Sequence, residues 1–269
     1  MSVRAMSQGR PPIAAPTLRK DTWWALPATV VLVLGSFIVY STWAALQNAH
    51  YFAAPYLSPF YSPCISTSCV HATFGYGLPD FTFPVIGLVS PAFLILWGPG
   101  LFRLSCYYYR KAYYRSFWLA PAACAVRDVK SGYTGETRFP LILQSFHRYT
   151  WYVAVVFVVV LTWDAILALR FPIAGGGHQF GIGVGTIVMW INVILLAGYT
   201  FSCHSCRHLC GGHVDVFSRA PGRYRLWHVI TRLNERHPMY AWLSLFSVGL
   251  TDLYIRLVSM GVIRDLRIL

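Results

Sequence analysis

Charge is scarce in this chain, and acid is scarcer than base. Only 12% of its 269 residues are charged, with 9 Asp and Glu against 22 Lys and Arg, while 56% are hydrophobic. An ordinary soluble domain carries about 25% charged residues, so this is membrane composition. The first 21 residues contain no short apolar core followed by a small-residue cleavage site, so they do not read as a cleaved secretory signal. They are polar and proline-rich and read as a flexible cytoplasmic tail. No internal repeat and no further low-complexity tract stands out. The loop from Tyr51 to Pro84 has neither Lys nor Arg.

What is present is a series of long apolar runs. A helix needs roughly 20 apolar residues to cross a bilayer, and five stretches qualify: about Ala25–Leu46, Val85–Leu104, Tyr149–Leu169, Ile182–Ser202 and Tyr240–Val258. The expected fold is all-α, a polytopic five-transmembrane-helix bundle formed by residues 22–269 as one domain. The net charge of +13 does not mark a nucleic-acid binder, because the basic residues are segregated. With the N-terminus inside, the tail and the segments 103–148 and 203–239 share one side and hold 18 of the 22 Lys and Arg. Basic loops stay cytoplasmic, which places the N-terminus in the cytoplasm and the C-terminus outside. A basic face also suits an acidic soluble partner.

Span 3 carries Asp164, which is expected to pair with Arg170. Span 5 carries Asp252 and Arg256, four residues apart on one helical face and able to neutralise each other. The seven cysteines divide by side. Cys64 and Cys69 lie in the outer loop, where a disulfide is an open possibility. Cys106, Cys124, Cys203, Cys206 and Cys210 lie on or near the inner face, where clustered thiols point to metal or redox work.

The densest chemistry is Cys203-His204-Ser205-Cys206-Arg207-His208, where span 4 meets the basic side. At the same depth span 2 delivers Cys106 and span 3 opens with His147. On a helix Cys203 and Cys206 share one face, and His204 and His208 the next. Two thiols and two imidazoles at one depth are what a Rieske-type [2Fe–2S] centre requires. The candidate ligands are therefore Cys106, His147, Cys203, His204, Cys206 and His208, six residues for four positions. Haem b is the rival, with His147 and His204 or His208 as an axial pair, or His50 with His178 or His71 at the outer face. A channel or transporter without a redox centre is a remote third. For a quinone, the inner boundary offers Ser105, Tyr107, Arg148, Tyr149, Trp151 and Tyr152, an apolar slot with a few polar groups. The outer boundary offers His50, Tyr51, Trp163 and Asp164.

Several of these stretches carry a resemblance. Phe102 to Phe117, Tyr133 to Gln144, His147-Arg148-Tyr149 and Cys203 to His208 together resemble the membrane-anchor subunit of actinobacterial succinate dehydrogenase of the mycobacterial Sdh1 type. The likeness runs from span 1 to span 5. It implies a plasma-membrane subunit of a bacterial succinate:quinone oxidoreductase. Such a subunit docks a flavoprotein and an iron–sulfur protein on its inner face, in a complex that can be a higher oligomer. Electrons from succinate pass to menaquinone or ubiquinone through a membrane-embedded Rieske-type cluster. The di-haem anchors of related complexes place haem-ligating His on spans 1, 2, 4 and 5. Here spans 2 and 5 have no His within their apolar stretches.

Overall fold

The computed structural model describes residues 19–67, 69, 82–83, 87–88, 90–126, 136–139, 141–212 and 214–269. Most of the expected tail, and His71 and His213, lie outside these. Eight α-helices carry the fold: α1 Ala25–Gln47, α2 Pro91–Ser105, α3 Tyr107–Ser116, α4 His147–Leu167, α5 Val184–Phe201, α6 His204–Gly211, α7 Pro221–Glu235 and α8 His237–Ser259. Among the described residues, four helical stretches are long and apolar enough to cross a bilayer: Ala25–Gln47, Leu141–Leu167, Val184–Phe201 and His237–Ser259. The second expected span differs. It becomes α2, which opens only at Pro91, runs for 15 residues and holds Pro99 inside. At 1.5 Å per residue it is about 22 Å long, against a hydrocarbon core of about 30 Å.

Helices α5 and α8, α2 and α4, and α4 and α5 pack along their lengths. The basic segments are not plain loops. Helix α3 continues from α2 after a break at Cys106, and α6 and α7 form a hairpin over the same end. Arg223 of α7 donates to the carbonyls of Cys210 and Gly212 at 3.0 and 2.9 Å, placing a cation on the negative end of α6.

The opposite end is closed by a loop and three short antiparallel hairpins, β1–β2 (Phe52–Ala53, Tyr56–Leu57), β3–β4 (Thr82–Phe83, Gly87–Leu88) and β5–β6 (Arg170–Pro172, His178–Phe180). Cys64 and Cys69 are disulfide-bonded within this cap. Asp252 accepts from Arg256 at 3.4 Å, from Tyr40 at 2.6 Å and from Ser58. Asp164 does not pair with Arg170. It turns into the bundle, accepts from Ser62, and leaves Arg170 exposed. A helix positions Asp164 on the buried stripe of α4, and Arg170 lies beyond the helix end on a hairpin strand. Asp265 sits at the N-terminus of α5, accepting from the Gly185 backbone N–H at 2.8 Å and from Tyr56 and Tyr254 at 2.6 Å each. Gly185 lacks the Cβ that would stand 2.6 Å from the Tyr56 ring.

Candidate thiol–imidazole centre

Two thiols and two imidazoles meet at the basic end of the bundle, each at a helix terminus. Cys106 joins α2 to α3, Cys203 joins α5 to α6, His147 opens α4 and His237 opens α8. All four are buried. The Cys203 Sγ lies 3.0 Å from His147 Nε2, and the Cys106 Sγ lies 3.4 Å from His237 Nε2.

The other nitrogen of each ring is held by a serine. The Ser105 hydroxyl lies 2.9 Å from His147 Nδ1 and donates its own proton to the Leu101 carbonyl at 2.6 Å. The Ser202 hydroxyl lies 2.7 Å from His237 Nδ1 and donates to the Tyr199 carbonyl at 3.2 Å. A serine whose proton is committed to a carbonyl accepts from the ring, so both imidazoles carry their proton on Nδ1. Nε2 is thereby left as a lone-pair donor facing sulfur.

The wiring is crossed. Ser105 precedes Cys106 but holds the imidazole that faces Cys203, and Ser202 precedes Cys203 but holds the one that faces Cys106. An aromatic ring covers each imidazole one turn earlier: Phe102 stacks on His147 at 5.0 Å and 5°, and Tyr199 on His237 at 5.1 Å and 16°. Both helix ends therefore spell aromatic-x-x-Ser-Cys, as Phe102-Arg103-Leu104-Ser105-Cys106 and Tyr199-Thr200-Phe201-Ser202-Cys203. Burial, then the neighbouring Cys106, push the Cys203 thiol up to about 12. Such a thiol keeps its proton unless a metal takes its place.

His237 is the residue that sequence reasoning missed. It lies just before the apolar stretch of α8 and far along the chain from the cysteine run. The repeated aromatic-x-x-Ser-Cys pattern was the signal that two equivalent helix ends call for two equivalent imidazoles. Of the six candidates, Cys106, His147 and Cys203 come together with His237. His204, Cys206 and His208 do not join them. Cys206 is buried against Cys210, and burial pushes its thiol up to about 12. His204 and His208 sit on the exposed face of α6 with their Nε2 atoms 2.9 Å apart. Among the described residues no three His, Cys, Asp or Glu side chains converge on one metal-ion position.

His204 and His208 instead line a cleft of about 370 Å³ with Tyr107, Ser145, His147, Arg148, Tyr149 and Ser205. Three of the quinone candidates, Tyr107, Arg148 and Tyr149, face this cleft. Ser105 is buried behind it, Trp151 donates to the Thr200 carbonyl at 2.9 Å, and Tyr152 is exposed elsewhere on α4. The outer set is dispersed: Asp164 is buried on Ser62, Tyr51 stacks on Tyr61 at 4.1 Å, and Trp163 and His50 are exposed. A second, apolar chamber of about 170 Å³ lies inside the bundle between Phe60 and the Phe102–Tyr199 pair, and no His, Cys or Met lines it.

These features define a multi-pass helical membrane protein with a buried thiol–imidazole centre at one end of its bundle. The family model for actinobacterial succinate dehydrogenase subunit SdhC matches residues 25–261, and the chain belongs to that family. It is a membrane-anchor subunit of actinobacterial succinate dehydrogenase, resident in the plasma membrane. A chain of the Mycobacterium smegmatis Sdh1 complex in the apo form is 47% identical, with a TM-score of 0.87 over 98% of each chain. No curated protein matches.

Proposed function

We propose that this subunit holds a Rieske-type [2Fe–2S] cluster on Cys106, Cys203, His147 and His237 and conveys electrons from succinate to menaquinone or ubiquinone. The observation that carries the proposal is the pair of buried Cys–His contacts with both imidazoles locked by serine. The donor set fits the group. Two thiols and two Nε2 lone pairs are brought to one end of the bundle from four helix ends as two Cys–His pairs, serine hydroxyls fix both rings, and burial excludes water. Bound there, such a cluster supplies a one-electron relay. Haem is disfavoured because, among the described residues, no axial ligand lines the apolar chamber, because His147 Nε2 is turned onto Cys203 and those of His204 and His208 onto each other, and because His50 and His178 are exposed on the far end.

Quinone reduction also consumes protons. The cleft beside His147 would take the head group: Arg148, Tyr107 and Tyr149 would hydrogen-bond its carbonyls, and His204 and His208, whose Nε2 atoms lie 2.9 Å apart, would relay protons to it from the aqueous face. The same basic end would dock the flavoprotein and iron–sulfur subunits. Helix α3 presents Lys111 and Arg115 there, while Arg110 is engaged with Glu136 at 3.1 Å and Arg103 turns inward to Tyr109 at 2.8 Å. In the membrane we place α2 as a fifth, shortened span, with the N-terminus cytoplasmic and the C-terminus outside. The segregation of basic residues supports this orientation.

Iron, acid-labile sulfide and electron paramagnetic resonance of the reduced complex test the assignment. Cys106→Ser, Cys203→Ser and His237→Ala should each abolish the signal and quinone reduction while succinate oxidation by a soluble dye persists. The double change His204→Ala with His208→Ala should keep the signal. The opposite pattern would move the centre onto α6.

A further inference from the structure

Both halves of the centre use a serine, a cysteine, a histidine and an aromatic ring, and among these four only the aromatic differs. Phe102 and Tyr199 hold the same place in the repeated pattern and stack on His147 and His237 in the same way. Tyr199 alone carries a hydroxyl. That hydroxyl is buried with no hydrogen-bond partner among the described residues, and the Cys106 thiol stands near it. Tyr199 is only 1% exposed, and an unpaired buried hydroxyl costs about 1–3 kcal/mol, so a phenylalanine would pack here at less expense. The ring is also held by a cation. The Arg103 guanidinium lies 4.7 Å from its centroid and is itself tied to Tyr109, the Ala241 carbonyl and Ser244. This clamp leaves the phenol little freedom to turn toward another acceptor.

We infer that Tyr199 is a tuning residue of the centre: its hydroxyl donates to the sulfur of Cys106 when that sulfur is a metal-bound thiolate, and so raises the reduction potential. The inference rests on the proposed cluster. A hydrogen bond to sulfur withdraws electron density and stabilises the reduced form more than the oxidised one, because the reduced centre bears the extra negative charge. Arg103, a fixed cation beside the ring with no carboxylate bonded to it among the described residues, acts in the same direction.

The experiment is a redox titration of the purified complex followed by paramagnetic resonance. Tyr199→Phe should retain iron and sulfide yet shift the ratio of reduced to oxidised centre about tenfold toward oxidised at a fixed ambient potential, a fall of 59 mV for one electron. Site-specific 3-fluorotyrosine at position 199, a stronger donor of nearly the same shape, should shift the ratio the other way. A cluster present with unchanged potential in both variants overturns the inference. If the phenylalanine variant does not assemble, the fluorotyrosine variant decides alone: a raised potential supports the role and an unchanged one overturns it. Absence of any cluster from the unaltered complex would overturn the proposed function instead, so the two failures are distinguishable.

Discussion

Ser202 accepts the Nδ1 proton of His237 at 2.7 Å, across the junction where α5 ends and α8 begins. The bond fixes which nitrogen of His237 is free. Without it the ring could take the other tautomer and turn an N–H toward Cys106.

Removing that hydroxyl should therefore loosen the metal before it loosens the fold. Ser202→Ala leaves a buried N–H unpaired, at about 1–3 kcal/mol, and loss of such an outer-shell partner typically costs 10–100-fold in metal affinity. Iron retained after a timed challenge with a chelator should fall accordingly. Ser105→Ala should behave alike, because it holds His147 in the same way. Equal retention in both variants and the unaltered complex would count against the tautomer argument.

The thiols of the centre should be shielded from alkylation in the metal-stripped protein. Cys203 has its thiol pushed up to about 12 by burial, so at pH 8 it is protonated, and only the thiolate reacts with maleimide. Exposed Cys124 should label in minutes while Cys203 labels only on unfolding.

The buried pair at the opposite end should matter for stability and little for redox chemistry. Arg256 and Asp252 are both almost wholly buried, and Arg256 also donates to the Ala49 carbonyl at 2.9 Å. Arg256→Leu strands a carboxylate, at about 3–5 kcal/mol. The unfolding temperature of the complex in detergent should drop by several degrees while the paramagnetic signal keeps its shape.

Gly185→Ala should also destabilise, because the added Cβ meets the Tyr56 ring at 2.6 Å and would push Tyr56 off Asp265. Overpacking of this kind costs about 1–3 kcal/mol. A thermal melt of Gly185→Ala beside Gly100→Ala, where nothing lies near the added atom, separates the steric effect from the general effect of replacing glycine.

Charge reversal on α3 should detach the soluble subunits. Lys111→Glu with Arg115→Glu alters cations, one exposed and one half-buried, at a cleft that α3 shares with α1 and α8, whereas Arg110→Glu would also break the contact with Glu136 at 3.1 Å. Release of dye-linked succinate oxidation into the supernatant, stronger as salt rises, is the expected outcome. Full retention would leave α3 as a lipid-facing anchor.

Hydrophobic run length located most of the scaffold. The first span was expected at Ala25–Leu46 and α1 occupies Ala25–Gln47. The last was expected to open at Tyr240, and α8 starts three residues earlier, at His237. Those three residues decided the site. Polar residues at a helix start do not register in a hydropathy window, so His237 stands at the inner boundary just ahead of span 5 without entering the six candidates. His204, Cys206 and His208 illustrate the converse. Closeness in sequence gave them weight, but Cys203 ends one helix and caps the next. Residues beyond that break turn onto another face. Helices α6 and α7 were illegible as membrane segments because they are too polar to span, yet they separate Cys203 from His237 along the chain while bringing both to one depth.

The crossed wiring of the two Ser-Cys junctions has a bearing on biogenesis. Each half draws its thiol from one helix junction and its imidazole from the start of another helix, so a nascent chain lacking α8 would present Cys106 without its ring. Metal delivery to such a chain would meet an incomplete set. Cluster insertion would then serve as a checkpoint, accepting only those molecules in which every helix that bears a donor has already been inserted and docked.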